Sequence, residues 1–101
     1  MRMLFHPDPQ QITLADVLYA LGDPVRLEIV QRLAKGGELC CAGLDCSVAK
    51  STMSHHFRIL RESGVVFSRK DGTQLLNSLR KAELDQRFPG LMDAVLGAVQ
   101  H

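Results

Sequence analysis

Apolar residues recur at helical spacing from residue 14 to about 63 and again beyond 81, with a hairpin pattern between. Leu14, Val17, Leu18 and Leu21 make one stripe and predict a first helix over 14–21. Thr13 stands at its N-cap and Gly22 at its stop. Asp23-Pro24 pairs a cap residue with proline at the first helical position. Val25, Leu27, Ile29, Val30 and Leu33 then carry a second helix to about Ala34, before Gly36-Gly37. A short third helix is predicted over 39–46, a turn over 47–49 and a fourth helix over 50–63, stopped by Gly64. Val65-Val66-Phe67 starts a strand, and 74–79 returns as its partner. Asp71-Gly72 between them signals a two-residue turn, because both residue types tolerate the positive φ it needs. Beyond Lys81 come Leu84, Phe88, Leu91, Met92, Val95, Leu96 and Val99, interrupted at Pro89-Gly90. Residues 1–12, with Pro7 and Pro9, read as an irregular arm.

The fourth helix is the informative one. Met53, Phe57 and Leu60 share a side that can anchor it in a core, while Lys50, Ser51, Thr52, Ser54, His55 and Arg58 crowd another. Hydroxyls, imidazole and cations in that order can hydrogen-bond phosphates and base edges. His56, spaced from Met53 and Leu60, falls at a half-buried position. The hairpin that follows carries Arg69, Lys70, Thr73 and Gln74 near its tip, placed to touch a DNA backbone or minor groove. A solvated surface helix and an ordinary hairpin are the plainer readings of the two elements. Together they predict a mainly α fold with a two-stranded β-wing, a winged helix-turn-helix. Its single domain, 1–101, would comprise an arm (1–12), helix-turn-helix (39–63), wing (65–79) and dimerisation helices (13–21 and 81–99).

The dimer expectation comes from the tail, whose apolar stripe has little of the domain left to cover it. Leu14, Val17 and Leu18 with Leu84, Phe88, Leu91 and Val95 are the candidate interface with a second copy. The competing reading folds the tail back over its own core. At 101 residues the chain buries only a modest core by itself.

Net charge is only +1, but it is unevenly spread. Residues 50–81 hold seven cations against two acids, whereas the segments on either side are each net −2. This is the footprint of phosphate contact on the reading segment. No apolar run approaches the ~20 residues of a membrane span, and the start, MRMLFHPDPQ, lacks the apolar core of a signal peptide. Three cysteines, two adjacent, do not make a secreted disulfide framework, so a cytoplasmic setting is expected.

ALGDPVRLEIVQRL, STMSHHFRILRESGVV and RKDGTQLLNSL, in that order, resemble the ArsR/SmtB family of bacterial winged-helix repressors, and LDQRFPGLMDAVL resembles tails found in it. The resemblance runs from about Leu14 over nearly the whole chain. It implies a homodimer formed by the first and last helices, a palindromic double-stranded DNA operator, and release by an inducer. By motif position it implies DNA contacts from Lys50, Ser51, Thr52, Ser54 and His55, and from Arg69 and Lys70 in the wing. Metal sensing does not carry over. Glu38-Leu39-Cys40-Cys41-Ala42 lacks the second cysteine of the arsenic- and cadmium-type Glu-Leu-Cys-x-Cys pattern, and the tail lacks spaced Asp, His and Glu ligands, which His101 alone does not restore.

The cysteines therefore need another account. On a helix Cys40 and Cys41 diverge by ~100°, and Cys46 lies ~140° from Cys41, so three thiolates cannot converge on one ion. Cys46 sits where an apolar residue is wanted and reads as core. Cys40 and Cys41 are the candidate thiol sensor, open to oxidants, electrophiles or soft metals. A Cys41, Cys46, His55, His56 zinc set fails on its short spacing and on the divergence of adjacent histidines. No metal and no cofactor are expected. An enzyme is not expected either, since GxSxG, P-loop, GxGxxG and HExxH are all missing. The alternative to a DNA-binding repressor is a winged-helix module that binds protein.

Overall fold

The computed structural model of the protein describes residues 4–40 and 50–99, with Lys50 as backbone alone. Helix α1, Leu14–Leu21, begins where the Thr13 hydroxyl accepts the Asp16 N–H at 3.1 Å. Helix α2, Pro24–Gly36, begins where the Asp23 carboxylate accepts the N–H groups of Val25 and Arg26 at 2.9 and 3.1 Å. Each cap satisfies donors that the first turn leaves without partners. Helix α3, Lys50–Glu62, is the predicted reading helix, and α4, Lys81–Arg87, and α5, Leu91–Val99, are the tail, parted at Pro89 and Gly90.

Strand β2, Val66–Asp71, pairs antiparallel with β3, Gln74–Leu79, in the register Val66↔Leu79 to Asp71↔Gln74. The turn is thus Gly72 and Thr73, one position later than the Asp-Gly signal suggests. Only Gly72 has positive φ, 65°, so Asp71 serves as a paired strand residue.

A two-residue strand β1, Leu39–Cys40, joins the other edge of β3, with Leu39 opposite Asn77 and Cys40 opposite Leu76. This overturns the prediction of a helix starting at Leu39. Two residues carry no period, and what holds them is distant in sequence. Buried Asn77 donates to the Leu39 carbonyl at 3.4 Å while its own carbonyl accepts the Ser68 hydroxyl at 2.6 Å. The rest of the predicted helix, with Cys41, Cys46 and the turn at 47–49, lies outside the described residues, as does His101.

The core draws on every helix. Val17, Ala20 and Leu21 meet Ile29, Val30, Leu33, Met53, Phe57 and Leu60, closed below by Val65, Val66, Leu84 and Met92. Each large side chain so buried contributes roughly 1.5–3 kcal/mol of transfer free energy. The tail folds onto this same core. Leu84 and Met92 are fully buried in the single chain, and Phe88, Leu91, Val95 and Leu96 pack on it half-exposed.

The arm, with no regular element among its described residues beyond a 3-10 turn at Pro9–Gln11, is fastened to the domain. His6 Nε2 accepts the Ser68 N–H at 3.0 Å and its ring stacks on Phe67 at 4.5 Å between centroids. The Pro7 carbonyl accepts from Arg80 at 2.9 Å, and the Ile12 carbonyl accepts from Arg87 at 2.6 Å. Ile12 then plugs the space beside Gly64, where a Cβ would lie 2.5 Å from its side chain. Gly64 also has φ 90°, so two independent constraints require glycine there.

Candidate nucleic-acid interface

Helix α3 separates its residues cleanly. Ser51, Thr52, Ser54, His55 and Arg58 are exposed, while Met53, His56, Phe57 and Leu60 are buried. At ~100° per residue the exposed set spans under half the helix circumference and the buried set lies opposite. Burial of the apolar side therefore aims the hydroxyls and imidazole outward. Lys50 belongs to the helix, and its side chain lies outside the described residues. Arg58 lies 4.0 Å from Glu62, one turn on, with both side chains mostly exposed.

His56 belongs to the inward side and holds a polar contact there. Arg26, buried on α2, donates to the Ala20 carbonyl at 2.6 Å and the Tyr19 carbonyl at 3.3 Å, at the end of α1. Its remaining nitrogen donates to His56 Nδ1 at 3.1 Å. A guanidinium only donates, so Nδ1 accepts and the ring proton sits on Nε2. The Asp23 carboxylate, 3.8 Å from the same Nδ1, is then not its hydrogen-bond partner. Desolvation pushes the Asp23 carboxyl up, but N–H bonds from Arg26 and Val25 and the Arg26 charge outweigh it and hold it below its ordinary value. One arginine thus ties α1, α2 and the reading helix together. Periodicity misses it, because Arg26 sits amid an apolar run and its partner is thirty residues away.

The chain passes from α3 through Ser63 and Gly64 straight into β2, with Val65 donating back to the Leu60 carbonyl at 3.0 Å. The wing is thereby anchored to the end of the reading helix. Arg69, Lys70, Thr73 and Gln74 are all exposed. Arg69 is engaged: its Nε and a terminal nitrogen donate to the two Glu38 oxygens at 2.7 and 2.8 Å. These bonds hold the Glu38 carboxyl below its ordinary range and raise the guanidinium above its own. Nothing in the sequence pattern marks this pair.

The charge footprint narrows accordingly. Arg80 is buried, chelates Glu83 at 2.6 and 3.0 Å and holds the arm, and Lys81 bridges Asp85 and Asp93 at 2.7 and 3.0 Å. These two cations are engaged within the fold, Arg80 buried and Lys81 partly exposed. Of the candidate interface residues, Val17 and Leu84 have no surface left to offer a partner, because they complete the chain's own core. Leu14 and Leu18 are about half exposed, and Phe88, Leu91 and Val95 partly so. Cys40 is half-buried in β1, against the wing strand. Among the described residues no group of three His, Cys, Asp or Glu is placed to hold a metal ion, and no helix is long and apolar enough to cross a membrane.

A helix with a polar outward side, set by a buried inward one and followed at once by a hairpin, defines the winged helix-turn-helix class of DNA-reading domain. Comparison with known proteins agrees. Residues 21–68 match a family described as a helix-turn-helix domain. The chain is 37% identical over 84 residues to the HTH-type transcriptional regulator YceK of Bacillus subtilis, covering 80% of this chain and 84% of that one. It is 38% identical over 80 residues to an arsenical resistance operon repressor of Staphylococcus aureus, covering 77% and 76%. The solved transcriptional repressor BigR from Xylella fastidiosa matches with a TM-score of 0.67 at 31% identity, over 84% of each chain. The chain belongs to the ArsR/SmtB family of winged-helix regulators, a family of DNA-binding proteins and not of enzymes.

Proposed function

We propose that the protein is a homodimeric, sequence-specific repressor that binds a palindromic double-stranded operator and leaves it when an inducer acts. One observation carries this reading: the exposed polar side of α3, aimed by its buried side, continues directly into a wing bearing Arg69 and Lys70. In this reading Ser54 and His55, with Lys50, Ser51 and Thr52, meet base edges and phosphates in the major groove, and Arg58, Arg69, Lys70 and Thr73 hold the flanking backbone. The half-exposed leucines of α1, Leu14 and Leu18, with the exposed sides of Phe88, Leu91 and Val95, are what a second copy would cover. Two reading helices would then enter successive major grooves roughly 34–36 Å apart. Cys40 gives one route for induction. Its strand is hydrogen-bonded to the wing, so oxidation or adduct formation at Cys40 would disturb the wing's edge, and Cys41, outside the described residues, is the other candidate thiol.

Fluorescence anisotropy on duplex DNA from upstream of the coding region, at two salt concentrations, tests the reading. The expected result is tight binding that weakens steeply with salt. Lys70→Ala should weaken binding to all sequences and lower the salt slope by about one. Ser54→Ala or His55→Ala should instead change which sequences are preferred. Affinity no better than for random duplex, and unaffected by these variants, would put a protein-binding winged helix in its place. Loss of binding on peroxide treatment, with recovery in reductant, supports the thiol route; a variant lacking all three cysteines that still responds to every inducer eliminates it.

A further inference from the structure

Between the arm, α1 and the end of α3 lies a cavity of about 390 Å³ that the DNA-reading surface does not use. Its walls are Phe5, Asp16, Tyr19, Ile59, Glu62 and Ser63. That volume falls within the range of small-molecule sites. The lining combines two aromatic rings, an aliphatic side chain and two carboxylates, and among the described residues no cationic side chain lines it. We propose that this cavity is a binding site for a small organic cation with an apolar body, such as a quaternary or hindered amine.

Charge and surface both point to this class. An anion would face the carboxylates of Asp16 and Glu62, of which only Glu62 has a cation beside it, Arg58 at 4.0 Å outside the lining, and a neutral apolar molecule would leave Asp16 without an ionic partner. A cation with apolar arms satisfies the carboxylates and rests on Phe5 and Tyr19, whose ring faces attract positive charge. Tyr19 already behaves this way, since the Arg26 guanidinium lies 5.5 Å from its centroid while most of the residue remains exposed. Phe5 is held in place by its neighbours, because His6 is bonded to Ser68 and stacked on Phe67, and Pro7 is bonded to Arg80.

The cavity is also distinct from the surface a second copy would cover. Around α1, Asp16 and Tyr19 lie roughly 150° from Leu14 and Leu18, with Val17, Ala20 and Leu21 facing the core. An occupant would touch the arm, α1 and the last turn of α3 together, the three elements that meet at the base of the reading helix.

The chain has a single tyrosine and no tryptophan, so its ultraviolet emission reports on Tyr19 alone. Titration of the full chain with tetrabutylammonium chloride should give a saturable change in that emission. Sodium chloride at equal ionic strength and sodium pentanesulfonate should not. Asp16→Asn and Glu62→Gln should each weaken apparent affinity about threefold or more, with circular dichroism confirming that both variants fold. An equal response to pentanesulfonate would overturn the proposal, as would unchanged affinity in the doubly substituted chain. A tetrabutylammonium response that disappears as protein concentration rises and the chain self-associates would assign the cavity to a second copy and overturn it too.

Discussion

The reading helix and the wing are neighbours in sequence and partners in the proposed function, yet different physics holds them. Helix α3 is placed by burial: Met53, Phe57 and Leu60 in the core, and His56 against a buried arginine. The wing's forward charge is placed by an exposed pair, Arg69 on Glu38. Buried contacts resist salt and water, whereas exposed ion pairs are screened and exchangeable. In the proposed reading the helix is set before DNA arrives, while the wing's arginine would change partners on arrival, leaving a carboxylate for a phosphate.

The largest break in this contrast is Phe57→Ala. It empties a fully packed position under the reading helix and should cost about 3–5 kcal/mol in a urea unfolding experiment. Next comes Arg26→Met, which strips donors from two carbonyls and from His56. A loss of roughly 2–4 kcal/mol is expected, because groups left buried without partners carry the full desolvation cost. Combining it with His56→Leu should cost less than the two changes separately, and strict additivity would show that the two side chains do not act together.

Glu38→Gln addresses the wing. Thermal stability should hardly move, and DNA affinity at low salt should rise a few fold because Arg69 no longer has a competing carboxylate. The gain should fade at high salt; equal affinity at all salt concentrations would mean that Arg69 does not reach the DNA.

The smallest effect is a pH dependence at the arm. Burial, then the charges of Arg80 and Arg61, lower the His6 pKa from its ordinary 6.5, against a raising contribution from the Leu4 carbonyl. The folded chain thus binds that proton more weakly than the unfolded one. The stability His6 contributes is complete above pH 6.5 and declines as pH falls below it, towards the lowered folded value. Hydrogen exchange at the Ser68 amide, read against pH, should show protection falling in that window in the parent and not in His6→Gln.

Legibility followed the reach of each interaction. The caps at Thr13 and Asp23, the two sides of α3, the stop at Gly64 and the break at Pro89-Gly90 are local patterns, and each element appears where its period and punctuation predict. The short strand Leu39–Cys40 was not legible, because its cause is Asn77 on a strand formed much later in the chain. The tail shows the same limit. Its stripe counts apolar residues correctly but cannot say that α2 is near enough to bury Met92. Charge counted by segment likewise included Arg80 and Lys81, which the fold uses for itself.

The amino-acid sequence by itself determined the kind of protein: one amphipathic helix with a polar reading side, a glycine stop, a hairpin with cations near its tip, and apolar helices around them. Periodicity and turn chemistry act over a few residues, so they survive being read one window at a time. Tertiary structure alone decided which polar groups meet. Arg26 found His56, Glu38 found Arg69, Ser68 found His6 and Asn77, and two carboxylates came to line a cavity with Phe5 and Tyr19. Such meetings depend on the angle at which packed elements cross, a property that no single segment of the chain contains.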